Sequence, residues 1–417
     1  MKPTTLAEKL LAAHAGLDVV VPGQIVVCDV DVAIAQDGTG PLAIQQIEEL
    51  GGEVKAPECV FFIDHAAPAP RSELANAQKT IRAFCAASGA TLSDVEMGVC
   101  HQRVAESYAK PGDLVIGADS HTCMAGALGA LATGMGSTDV AVGMASGKTW
   151  LRVPETFRIE VEGGFADGVE AKDLMLTLIG QLGADGATYK ALEFGGPGID
   201  ALPMAGRLTL SNMAVEAGAK CGLMPSDETT RAFLAALSRE EAWRPLAADP
   251  GAPYERVVPF DLGVIVPMVA RPHTVDNSAT AAELKGTKVD QVLIGTCTNG
   301  RLEDLRSAAR ILRGRRRSAG TRLIVTPASQ ATARAAAAEG LFDVFWDAGA
   351  VVTNPGCGAC VGIHEGILAD GETCISTANR NFHGRMGNPE AFIYLGSPAT
   401  AAATAVAGEI TDPREFL

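Results

Sequence analysis

Short apolar runs alternate with helix-periodic stretches along the whole chain. Residues 24–32, 59–63, 113–116, 289–294 and 322–325 are strand-like, and the intervening segments carry helical patterns. This alternation predicts parallel sheets covered by helices, an α/β fold. Ligands in such folds bind beyond the carboxyl ends of the strands, and the chemistry-bearing residues of this chain are concentrated there. A first break is expected at Val153-Pro154-Glu155 and a second across the polar stretch 277–288. The predicted units are 1–153, 154–284 and 285–417. An amphipathic helix is expected near the N-terminus, further helices over 305–312 and through the alanine run 335–338, and another from Gly362. No short fixed-period repeat is present.

Composition narrows the class. The chain has 417 residues, long enough for two or three domains, and 47% of them are hydrophobic against 20% charged. That balance describes a packed enzyme, not a disordered chain. The net charge of −15 argues against non-specific nucleic-acid binding, which needs a basic face. One basic tract, Arg313, Arg315, Arg316 and Arg317, follows an apolar-periodic stretch and reads as a solvated helix end. The N-terminus lacks the apolar core of a signal peptide, and no stretch approaches a transmembrane span. Ten cysteines without a secretory signal fit a reducing compartment, so a cytoplasmic location is expected, with no membrane partner.

Three cysteines stand in loops of unusual composition: Gly-Thr-Cys297-Thr-Asn-Gly and Asn-Pro-Gly-Cys357-Gly-Ala-Cys360. Three thiolates suit an iron-sulfur cubane with one iron left open to substrate, and adjacent glycines let backbone wrap a bulky cofactor. Zinc shares the Cys-x-x-Cys spacing, although a structural zinc site wants a fourth ligand. The other seven cysteines, Cys28, Cys59, Cys85, Cys100, Cys123, Cys221 and Cys374, read as core residues.

A second group lies in the first unit. Asp64-His65, His101 and Asp119-Ser120-His121 each follow a strand-like run, and imidazoles charged by carboxylates are acids able to expel a hydroxyl. Asp119-Ser120-His121 is not read as a hydrolase triad, since triad partners meet in space and not in sequence. Asn212 and Glu216 are four apart and share a helix face. Asn379, Arg380 and Arg385 lie in a glycine-bearing loop whose guanidiniums match carboxylates.

Taken together, Asp64-His65, Gly-Val-Cys-His101-Gln, Gly-Ala-Asp119-Ser-His121-Thr, Asp185-Gly-Ala-Thr-Tyr-Lys190, Ser-Asn212-Met-Ala-Val-Glu216, Gly-Thr-Cys297-Thr-Asn299, the Cys357/Cys360 loop and Asn379-Arg-Asn-Phe-His-Gly-Arg385 closely resemble the aconitase superfamily, in particular its stand-alone large subunits. The resemblance covers almost the whole chain. It implies three α/β/α domains around a 4Fe-4S cluster held by Cys297, Cys357 and Cys360, with an open iron. It also implies that His65 with Asp64 protonates a departing hydroxyl, that His101, Asp119, His121 and Glu216 order water and iron ligands, and that Ser120, Asn212, Asn299, Asn379, Arg380 and Arg385 surround cluster and substrate. The chain ends soon after Arg385, so the swivelling fourth domain, with its serine base, is expected on a separate small subunit. Aconitases carry a glutamine where this chain reads Asp37-Gly-Thr-Gly-Pro41, which points away from citrate. The implied reaction is dehydration and rehydration of a hydroxy di- or tricarboxylate, foremost the isomerisation of 2- and 3-isopropylmalate in leucine biosynthesis. Homoaconitase, dimethylmalate dehydratase and maleate or citraconate hydratase are the alternatives within the superfamily; a cluster-sensing RNA-binding regulator and a zinc-binding structural protein lie outside it.

Overall fold

Thr5 and Glu8 cap one another reciprocally, so the first helix, Leu6–Ala15, starts on a hydrogen-bonded box and ends at the left-handed Gly16. In this computed structural model, which describes residues 2–417, that helix leads into the first of three helix-covered sheets. The first sheet is wholly parallel, in the order Thr91–Ser93, Glu58–Phe62, Val32–Gln36, Leu114–Gly117, Leu131–Gly134. Its central strands are buried throughout, as parallel strands covered on both faces must be.

The run 24–32 is not one strand. Ile25–Asp29 pairs antiparallel with Lys148–Arg152 in a two-stranded ribbon, whereas Val32–Gln36 joins the parallel sheet. The chain changes partner between them: Val30 N–H donates to Gly147 O, and Asp31 N–H to Leu114 O. In the ribbon, Val26 and Cys28 face inward while Ile25 and Val27 are exposed.

The second sheet, also parallel, runs Cys221–Leu223, Ala191–Gly195, Thr156–Glu162, Arg256–Asp261. The third has seven strands: Ser278–Thr280, Met268–Ala270, Phe392–Gly396, Thr373–Ser376, Gln291–Gly295, Arg322–Thr326 and Val351–Val352. Its last five are parallel and its first two antiparallel. Two strands from the segment assigned by sequence to the middle unit therefore add to the third sheet. Helix Ala171–Leu182 packs against both helix Met204–Met213 and strand Met268–Ala270, which joins the two bodies.

No helix follows Gly362. Gly362, Glu365 and Gly366 take φ of 69°, 60° and 132°, values no right-handed helix allows. After the short turn Gly358–Val361 the chain instead runs irregularly to Thr373. The basic tract follows the helix Leu302–Leu312, and Arg315 donates to its Ile311 O, whereas Arg317 ties loop carbonyls beyond the helix, those of Gly349, Ser318, Ala319 and Thr321.

Candidate active site

Loops from the carboxyl ends of the first and third sheets meet in one cleft. Gly98 is the point of closest approach: a Cβ there would lie 2.5 Å from Ala328 O, and Val99 N–H donates to that same carbonyl. A second tie joins the Asp64 and Cys357 loops directly, Cys357 N–H to Asp64 O.

Cys297 lies in the single turn Thr296–Asn299, immediately beyond strand Gln291–Gly295. Gly295 has φ 136°, and a Cβ there would lie 2.0 Å from Thr326 O, so the turn requires glycine. Beyond strand Val351–Val352, Cys357 precedes the short turn Gly358–Val361 and Cys360 lies within it. All three thiols are buried. Asn212 Nδ2 and Asn379 Nδ2 donate to Cys297 Sγ at 3.4 and 3.6 Å, and Arg385 Nη2 donates to Cys360 Sγ at 3.2 Å. Burial, with Cys360 nearby, pushes the Cys297 thiol up to about 11. A hydrogen bond from Cys357, helped by the Arg385 guanidinium, holds Cys360 well below the ordinary thiol range, while Cys357 is raised.

The imidazoles form the opposite wall. His65 Nδ1 lies 2.9 Å from Asp64 Oδ1 and its Nε2 3.5 Å from Asp119 Oδ2. His121 Nε2 lies 2.8 Å from Glu216 Oε1 and its Nδ1 3.5 Å from Asp119 Oδ1. A ring with a carboxylate on each nitrogen is stabilised as imidazolium. Burial alone would lower the pKa of His65, but Asp64 and Asp119 raise it well above the ordinary value; His121 is raised by Asp119 and Glu216 against the same opposition. Asp119 and Glu216 are correspondingly lowered despite their burial, by His101 and His121 respectively. His101 Nε2 donates to Asp119 Oδ1 at 3.0 Å. Arg380 closes the network, its Nε on both Glu216 oxygens at 2.8 and 3.0 Å and its Nη1 on Ser120 Oγ at 2.9 Å.

In each of two groups, Asp64/His65/Cys100 and His101/Asp119/His121, the potential ligand atoms of the three side chains lie within 4.8 Å of one another. Hydrogen bonding accounts for both, since Asp64 Oδ2 accepts from Cys100 N at 2.6 Å and Asp119 Oδ1 from His121 N at 3.0 Å.

The structure thus gathers fourteen of the fifteen sequence-derived site residues around one cleft. Asn299 does something else: its amide donates to Thr209 Oγ1 and Asp304 Oδ1, holding the Cys297 turn from behind. Arg301 reinforces that turn through Cys297 O and Thr298 O. Several contributors were not singled out by sequence reasoning. Asp37 accepts from the backbone N–H groups of His65 and Ala66 at 3.0 Å each and so shapes the Asp64-His65 loop. Gln36 Nε2 donates to Asp119 Oδ2 at 3.5 Å, and the His364 ring meets His65 O at 3.1 Å. These contacts use backbone atoms or partners far away in sequence, and no spacing encodes them.

The sequence model of the Aconitase family (aconitate hydratase) matches residues 8–408. This chain belongs to the aconitase family. Its relatives within the family include the 3-isopropylmalate dehydratase large subunit of Elusimicrobium minutum, 57% identical with 100% of both chains covered. The 3-isopropylmalate dehydratase large subunit 2 of Archaeoglobus fulgidus is 57% identical, and large subunit 1 of Thermotoga maritima 56%, each with 99% of both chains covered. Among solved structures, Thermococcus kodakaraensis aconitase X (holo-form) superposes with a TM-score of 0.50 at 14% identity, over 89% of this chain and 88% of that one. That likeness concerns the fold.

Proposed function

We propose that the chain is the large subunit of a hydro-lyase that interconverts 2- and 3-isopropylmalate by dehydration and rehydration in leucine biosynthesis, working in the cytoplasm. The observation that carries the reading is the meeting of three buried thiols with two carboxylate-bracketed imidazoles in one cleft. Support for the substrate comes from relatives of that name, 56–57% identical over essentially their full lengths.

The residues present fit a 4Fe-4S cluster held by Cys297, Cys357 and Cys360. Three side-chain N–H donors aimed at sulfur need sulfur lone pairs, which suits the thiolate form that ligates iron. Around them the buried atoms Asn379 Oδ1, Arg385 Nε and His101 Nδ1 have no partner among the described residues, as expected of a cavity lined for a polar group. When bound, a cluster with one iron free of cysteine supplies a Lewis acid for a hydroxyl and carboxylate.

The chain's own residues supply protons and position. His65, held charged by Asp64 and Asp119, donates a proton to the departing hydroxyl. Arg380, fixed by Glu216 and Ser120, presents its remaining N–H groups to a carboxylate. Every carboxylate of the cleft already accepts at least two hydrogen bonds: Asp64 from His65 and Cys100, Asp119 from His101 and His121, Glu216 from His121 and Arg380. Each is thereby held to an imidazole, a guanidinium or a backbone N–H in a positioning role, and we assign the base that abstracts the carbon-bound proton to a separate small subunit.

Anaerobic reconstitution tests the reading. The chain with its cluster should be inactive alone and should turn over 2-isopropylmalate once a small subunit is added. A rate of roughly 1 per second or more from the lone chain would refute the two-subunit assignment. Preference of the pair for homocitrate, dimethylmalate, maleate or citraconate would refute the substrate.

A further inference from the structure

Lys172 is completely buried. Lysines are almost never so buried without an ion-pair partner, yet Lys172 has none among the described residues. Its Nζ donates to two backbone carbonyls, those of Thr377 and Ala378. The neighbouring carboxylates are spent elsewhere. Asp173 accepts from Met268 N and Glu170 N, and Asp304 from Asn299 and Arg301.

The two carbonyls immediately precede Asn379 and Arg380, the residues that donate to Cys297 Sγ and to Glu216. The same turn is tied to the Cys297 loop, since Thr377 Oγ1 accepts from Gly295 N at 2.8 Å and Thr377 N–H donates to Leu293 O. The ammonium therefore sits behind the junction of two loops that reach the thiols from different strands. Burial pushes the Lys172 pKa down to about 7, and Cys360 and Asp304 oppose that fall most strongly.

We propose that Lys172 is a positioning residue for the cysteine-held group: by gripping Thr377 O and Ala378 O it fixes the turn that aims Asn379 at Cys297 and Arg380 at Glu216. This rests on the reading that Cys297, Cys357 and Cys360 hold a cluster. A wild-type protein that takes up no iron would overturn that reading and not the role of Lys172 alone.

The test uses the reconstituted two-subunit enzyme with Lys172→Met, which keeps length and removes the donors, and Lys172→Gln, which keeps an N–H donor group without the charge on a shorter side chain. Turnover per bound cluster and the rate of iron loss to a chelator are measured, with circular dichroism to establish folding. For Lys172→Met, turnover per cluster should fall 10–100-fold, and iron loss should accelerate by a similar factor, as for other partners behind metal ligands. Lys172→Gln should lie between it and wild type. If Lys172→Met does not fold, Lys172→Gln decides by the same two readouts. A folded variant, Met or Gln, within twofold of wild type in both overturns the proposal. So does failure of both variants to fold, which would make the lysine purely structural.

Discussion

His65 owes its character to two carboxylates that approach it from opposite sides, one its own sequence neighbour and the other from a loop more than fifty residues on. His65→Asn removes the proposed proton donor and leaves the thiols untouched. Turnover of the reconstituted pair should fall by roughly two to four orders of magnitude while iron content stays at the wild-type value. Cys297→Ser, Cys357→Ser and Cys360→Ser should instead lose iron and activity together, because a hydroxyl is a poor replacement for thiolate, whereas Cys85→Ser, remote from the cleft, should lose neither. Iron analysis after anaerobic reconstitution separates the two classes, and full iron in Cys357→Ser would remove that cysteine from the ligand set. At this scale much was legible in the sequence, because Asp-His pairs and glycine-flanked cysteines carry their chemistry in residue type and spacing. Asp37, Gln36 and Lys172 were not. They act through a backbone N–H, through a side chain 83 positions away and through two carbonyls, and none of these leaves a local signature.

Among the elements, the turn after strand Gln291–Gly295 leaves no room for a side chain at Gly295, where it begins. Gly295→Ala would set a methyl against Thr326 O in a backbone region closed to alanine. It should cost about 1–3 kcal/mol in urea unfolding and should release iron, since the first residue displaced is Thr296 and the next is Cys297. Unchanged iron retention would show that the turn relaxes without moving the thiol. The strand and helix pattern was legible wherever a buried run was long. It misled where one run serves two sheets, as at 24–32, and where glycine and a left-handed glutamate break a helical-looking stretch, as after Gly362. Both depend on partners beyond the range of sequence periodicity.

For the molecule as a whole, stability should depend on pH through a group beneath the first sheet. His14 Nε2 lies 2.6 Å from Asp31 Oδ2, which also accepts from Leu114 N. Burial alone would lower His14, but Asp31 raises it; Asp31 itself is lowered by His14 against burial; and burial, with Asp31 nearby, pushes Asp113 up to about 6. A raised group binds its proton more tightly in the folded state, so its contribution is complete below roughly pH 4 for Asp113 and roughly pH 6.5 for His14, and is lost as pH climbs through the folded values. Asp31 contributes above roughly pH 4 and loses that contribution as pH falls through its lowered value. Urea midpoints should therefore decline from about pH 4 upward. Asp113→Asn should flatten the part between roughly pH 4 and 6 and spare the part governed by His14. An unchanged slope in that variant would assign the decline to other groups.

The cleft is drawn from residues 64, 119, 216, 297, 357 and 380, so no contiguous stretch contains it. During synthesis the first thiol leaves the ribosome well before the arginine that will face Cys360; Asn212 has already preceded it, but until residues 379 and 385 have followed, the nascent chain carries cysteines that lack their second amide donor and their cationic neighbour. If these cysteines hold the proposed cluster, its loading is on that account an event after translation. With that proposed cluster as the last part, a cell short of iron would accumulate a body whose sheets are finished while its chemistry waits.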